Sequence, residues 1–79
     1  MNPNLERALL LFQQSRYELA ERELHQALAA DPNDTYAHAL LGLCLAHREK
    51  YQEATDEVRQ AIHLAPDFSF AHYAHAQVL

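Results

Sequence analysis

The stretch RYELAERELHQALAADPN, from Arg16 to Asn33, returns as KYQEATDEVRQAIHLAPD from Lys50 to Asp67, thirty-four residues further along. A period of that length constrains the fold more than any other feature. Both copies must adopt one supersecondary unit, and a unit so short cannot bury its apolar face alone, so the copies must stack. Stepping by thirty-four pairs Ala8 with Gly42 and Ala76, Leu11 with Leu45 and Leu79, Tyr17 with Tyr51, and Ala20 with Ala54. It also pairs Leu24 with Val58, Ala27 with Ala61, and Pro32 with Pro66. The small residues let two helix backbones approach, and the larger ones fill the space beside them.

The unit is helical. Between Asn2-Pro3, Ser15, DPND at 31–34, Glu49-Lys50 and APDF at 65–68 lie five helix-length segments. Ala and Leu dominate the apolar half of the chain, with one glycine and no tryptophan, a mixture that favours helix over strand. Asn2 suits an N-cap ahead of Pro3, while Pro32 and Pro66 stop the helices before them, leaving Asn33 and Asp67 to cap the next ones. Segment 51–65 is one-sided, with Tyr51, Ala54, Val58, Ala61, Ile62 and Ala65 on one stripe. Segment 17–30 matches it, with Tyr17, Ala20, Leu24, Ala27 and Leu28. Segment 35–47 is apolar around nearly its whole circumference, as a helix between neighbours must be, and 4–13 reads as the same kind.

A small residue at position 8 of the unit, large apolar at 11, Tyr at 17, Ala at 20, large apolar at 24, Ala at 27 and Pro at 32 resembles the tetratricopeptide repeat. The resemblance covers the whole chain: repeat 1 at 1–34, repeat 2 at 35–68, and the first helix of a third repeat, or a capping helix, at 69–79. It implies an all-α fold, a single domain of five helices in antiparallel hairpins stacked as a right-handed solenoid. Two and a half repeats, with a last segment only half polar, lead us to expect a piece of a longer repeat protein. There are departures. Position 4 is Asn4, His38 and His72, position 7 is Arg7 and His75 in the outer units, and Ser15 and Glu49 stand where the family favours glycine in the turn. A positive φ at those two turns would cost on the order of 1 kcal/mol each.

The same resemblance implies a concave face, lined by the first helix of each repeat, that grips a partner's peptide or helix. Carried over by position, that face holds Leu5, Leu9 and Phe12, then Tyr36, Ala39, Leu43 and His47, then Phe70, Tyr73 and Gln77, with Asn2, Gln13 and Ala46 beside them. The lining is apolar and aromatic. A subgroup of the family clamps the terminal carboxylate of chaperone tails with Lys, Arg and Asn, but Leu5, Leu9, Leu40, Phe70 and Ala74 occupy the corresponding places here. A hydrophobic peptide or an amphipathic helix anchored at i, i+3, i+4 and i+7 is the expected ligand. The alternative is a structural or self-associating segment, a homo-oligomer whose second copy covers this face.

Other chemistries find little support. A net charge of −5 with six scattered Lys and Arg argues against nucleic acid. The runs ALLLF and ALLGLCLA fall short of the roughly 18 apolar residues a membrane span needs, and the start MNPNLERALL lacks the pattern of a signal peptide. Cys44, the only cysteine, reads as a buried small hydrophobe, and a cytoplasmic location is expected. Of six histidines, His38, His72 and His75 form the nearest approach to a metal cluster. No second cysteine or suitably spaced carboxylate joins them, so neither metal nor cofactor is expected. His25 and His63 fall on polar faces. The runs ELAERE and EATDE sit in first turns, where carboxylates oppose the helix dipole. With no nucleophile, base and oxyanion site together and no glycine-rich loop, no enzyme is expected.

Overall fold

The computed structural model describes residues 2–79 and contains five α-helices: α1 (Pro3–Gln13), α2 (Tyr17–Ala30), α3 (Thr35–His47), α4 (Tyr51–Leu64) and α5 (Ser69–Val78). Consecutive helices pack as hairpins, α1 with α2 and α3 with α4. The second hairpin stacks on the first through α2 and α3, and α5 lies against both α3 and α4. This is the expected solenoid of stacked hairpins.

The breakers act through identifiable hydrogen bonds. Asn2 accepts from the Asn4 backbone N–H at 2.8 Å and Pro3 opens α1, as the sequence predicts. Both hairpin turns close in the same way: Arg16 N–H donates to Leu11 O at 2.8 Å, and Lys50 N–H to Leu45 O at 2.9 Å. That closure puts Ser15 at φ 61° and Glu49 at φ 64°, in the left-handed region where the family favours glycine. Caps between repeats differ from expectation. Asp34, not Asn33, accepts from Ala37 N–H at 3.1 Å, because a turn from Asp31 to Asp34 lies between the proline and α3. The equivalent turn ends at Phe68, so α5 starts without a side-chain cap and Asp67 does not serve as one.

The core follows the repeat. Ala8, Ala20, Ala27, Ala54 and Ala61 are fully buried with Leu24 and Val58 between them. Gly42 marks the tightest approach: a Cβ there would lie 2.5 Å from Val58 Cγ1 and 3.2 Å from the Ala54 carbonyl oxygen. On α3 the run from Ala39 to Leu45 is buried without a break, as a wholly apolar helix requires. On α1, however, only Leu5 and Ala8 are buried and Leu10 is 58% exposed. The expectation that α1 is enclosed like α3 is therefore corrected: α3 is flanked by α2 on one side and by α4 and α5 on others, whereas α1 packs mainly on α2.

Carboxylates on the second helices tie the units together. Glu21 of α2 pairs with Arg48 at the end of α3 and lies 3.9 Å from Lys50 and 3.6 Å from His25. Glu23 bonds Asn4 and Arg7 of α1, and Glu57 bonds His38 Nδ1 at 2.9 Å. The sequence reading gave these acidic runs to the helix dipole alone. Their spacing of nineteen residues from positions 4 and 38 was the missed signal, since it recurs in both repeats.

Candidate functional site

Two groups of rings form the walls of a cleft bordered by α1, α3 and α5. On one side Tyr17, the first residue of α2, stacks flat on His47 at 4.2 Å between ring centroids, while Phe12 meets both edge-on at 5.5 and 5.8 Å. Tyr17 thus braces the ring of His47, which ends α3. On the other side Tyr36 at the start of α3 stacks on Phe70 of α5 at 4.6 Å, and Phe70 continues to Tyr73 at 6.1 Å. Between the walls Leu43 and Ala46 of α3 make an apolar floor, and Tyr51 and Gln77 close the edges, giving a cleft of about 480 Å³.

The helix period explains this grouping. Leu43, Ala46 and His47 fall within one turn of α3, and Phe70, Tyr73 and Gln77 are three and four apart on α5. Of the residues assigned to the concave face, Phe12, Leu43, His47, Phe70, Tyr73 and Gln77 meet at the cleft. Tyr36 stands behind Phe70 and fixes its ring, and Leu9 packs half-buried against the core outside the cleft. Leu5 and Ala39 do not reach it. Both are buried in the core, because their positions turn toward the neighbouring helices rather than the cleft, and their place in a binding surface is corrected accordingly.

Tyr51 was missed. Its equivalence to Tyr17 assigned it to packing, but Tyr17 has His47 on its face whereas the Tyr51 side chain is 56% exposed at the cleft edge. Tyr73 is exposed to the same degree. Phenol hydroxyls and the Gln77 amide supply donors and acceptors around an otherwise apolar opening.

The remaining candidates lie elsewhere. His38 is held by Glu57 and, through Nε2, by the Pro32 carbonyl at 2.7 Å. His72 touches the Pro66 carbonyl at 2.6 Å in the same manner. Among the described residues no three His, Cys, Asp or Glu side chains are grouped to hold a metal ion. Burial, and secondarily the Glu21 charge, push the Cys44 thiol up to about 12, so at neutral pH it is a protonated packing group rather than a nucleophile. No helix among the described residues is long and apolar enough to cross a membrane.

Stacked helical hairpins define a helical-repeat protein, here with an aromatic cleft beside α3 and α5. The family model for the tetratricopeptide repeat matches residues 5–67, and the chain belongs to that family. Repeats of this family generally mediate protein–protein interaction and are typically non-catalytic. No curated protein matches the chain.

Proposed function

We propose that the chain is a non-enzymatic recognition module whose inner cleft takes apolar anchors of a hydrophobic peptide or an amphipathic helix from a partner protein. The observation that carries this reading is the pairing of two braced aromatic walls over an apolar floor, with Tyr51 and Tyr73 left more than half exposed. Exposed tyrosines beside apolar ground supply large contact area at small entropic cost. Lys and Arg side chains are absent from the cleft lining, so capture of a peptide carboxylate has no support there.

A display library of amphipathic helical peptides tests the proposal. Selected sequences should converge on apolar anchors spaced i, i+3 or i+4, and i+7, and Tyr73→Glu, at an exposed site, should weaken them by about tenfold or more while leaving helicity unchanged. No convergence, or equal binding by Tyr73→Glu, contradicts it. If the face instead serves self-association, light scattering of the unliganded chain will rise with concentration and Tyr73→Glu will abolish that rise.

A further inference from the structure

Five rings line the cleft, those of Phe12, His47, Tyr51, Phe70 and Tyr73, and neither a carboxylate nor a Lys or Arg side chain stands among them. Apolar contact alone would be served as well by leucine. What rings add is a face of negative potential, which attracts a cation held within about 6 Å of the ring centre. Packing leaves such faces open. Phe12 lies 5.5 Å from Tyr17 and 5.8 Å from His47, so it flanks the edges of their stack and covers neither outer face. Tyr51 and Tyr73 are each 56% exposed at the cleft. Positive charge is also kept off the site: Arg48 and Lys50, which adjoin His47 and Tyr51 in sequence, both meet the Glu21 carboxylate of α2, and neither lines the cleft. The chain carries a net charge of −5, which favours the approach of a cation.

We propose that the partner helix brings an arginine to this cleft, its guanidinium stacked on the exposed tyrosine rings while its apolar neighbours rest on Leu43 and Ala46. The inference rests on the recognition reading above and adds the chemistry of the ligand. Charge complementarity chooses the occupant, and hydration chooses between the two basic side chains. An ammonium is a strongly hydrated point charge, and this lining has no carboxylate to offset its dehydration. A guanidinium is planar, weakly hydrated and suited to stacking. Its N–H groups find acceptors in the Tyr51 and Tyr73 hydroxyl oxygens and the Gln77 side-chain carbonyl at the rim. On the partner helix, apolar residues at i, i+3 and i+7 and arginine at i+4 share one stripe.

Four end-blocked, alanine-based helical peptides are the probes, each with leucine at i, i+3 and i+7 and with arginine, citrulline, lysine or leucine at i+4. They are titrated into the isotopically labelled 79-residue chain at about pH 8, so that histidine charge does not oppose the guanidinium, and followed by NMR. The arginine peptide should give saturable shifts at Tyr51, Tyr73 and Gln77 and bind about tenfold more tightly than the citrulline peptide, which keeps the shape and loses the charge. Lysine and leucine should both fall below arginine. In the variant Tyr51→Leu with Tyr73→Leu, altered at exposed positions and checked by circular dichroism, the arginine-to-citrulline ratio should drop toward one, whereas Tyr73→Phe, which keeps the ring, should preserve most of it. Equal binding of arginine and citrulline, or tighter binding of leucine, overturns the arginine and leaves the cleft an apolar recognition site. Lysine binding as well as arginine overturns the guanidinium, and an unchanged ratio in the double leucine variant overturns the stacking on tyrosine. No shift in the cleft from any of the four peptides at millimolar concentration overturns both this inference and the reading it rests on.

Discussion

Helices α3 and α5 hold the same place in successive repeats, and their comparison separates what a residue is from what its neighbours make of it. The side turned to the preceding hairpin is alike in both: Ala37 and Ala71 are fully buried, and Cys44 and Val78 occupy one position and are both buried. The other side differs. Leu45 is 2% exposed and Leu79 83%, Gly42 is sealed beneath α4 while Ala76 meets water, and His38 has a carboxylate where His72 has none. Identical or similar side chains thus contribute to stability only where a second helix covers them, since burial, not hydropathy, removes apolar area from water.

The comparison breaks most visibly at position 7 of the repeat unit. Leu41→Ala should cost about 2–5 kcal/mol in a denaturant melt, because a buried leucine is replaced by a cavity, whereas His75→Ala should fall within about 0.5 kcal/mol. Next comes the close approach. Gly42→Ala should destabilise by about 1–3 kcal/mol, since both Val58 and the α4 backbone stand in the way of the new methyl, outweighing the better helix propensity of alanine. Ala76→Gly on the open face should lose at most about 1 kcal/mol, from helix propensity alone. Opposite results at the two sites would mean that the repeat register has been misassigned.

Smaller differences sharpen the picture. His38→Ala removes bonds to Glu57 and Pro32 and should cost about 1–2 kcal/mol, with His72→Ala, which loses only the Pro66 bond, costing about half as much. A further difference is a pH dependence. The Cys44 thiol, ordinarily near 9.0, is raised to about 12 in the fold. Its contribution is therefore complete below pH 9 and is lost as pH rises toward 12, because the unfolded thiol releases its proton first. Stability measured across that interval should fall more steeply for the parent chain than for Cys44→Ala.

Much of this architecture was legible because it repeats. The thirty-four-residue period gave the hairpins and the small residues Ala20, Ala27, Ala54 and Ala61 at the crossings, since each rests on local spacing, while the family resemblance pointed to the turns at Ser15 and Glu49. Legibility failed where position in the stack matters more than position in the repeat. Tyr17 and Tyr51 are the same residue in the same register, yet one carries His47 on its face and the other edges the cleft. Leu5 and Ala39 share a stripe with cleft residues but turn into the core, a difference of a fraction of a helical turn that pattern alone does not resolve. The ties from Glu21, Glu23 and Glu57 join helices across sixteen residues or more, and helix-dipole reasoning on a single segment does not reach them.

Native-state hydrogen exchange tests the central claim most directly, because it reports the stability of each helix separately in the intact chain. If stability belongs to covered faces, amides in the middle of α3, around Leu41 to Leu45, will exchange only through global unfolding, and those of α5 from His72 onward will exchange at a free energy several kcal/mol lower, on the order of the burial of two leucine-sized side chains. Equal protection of α3 and α5 would contradict the account, as would an α3 that opens before α5.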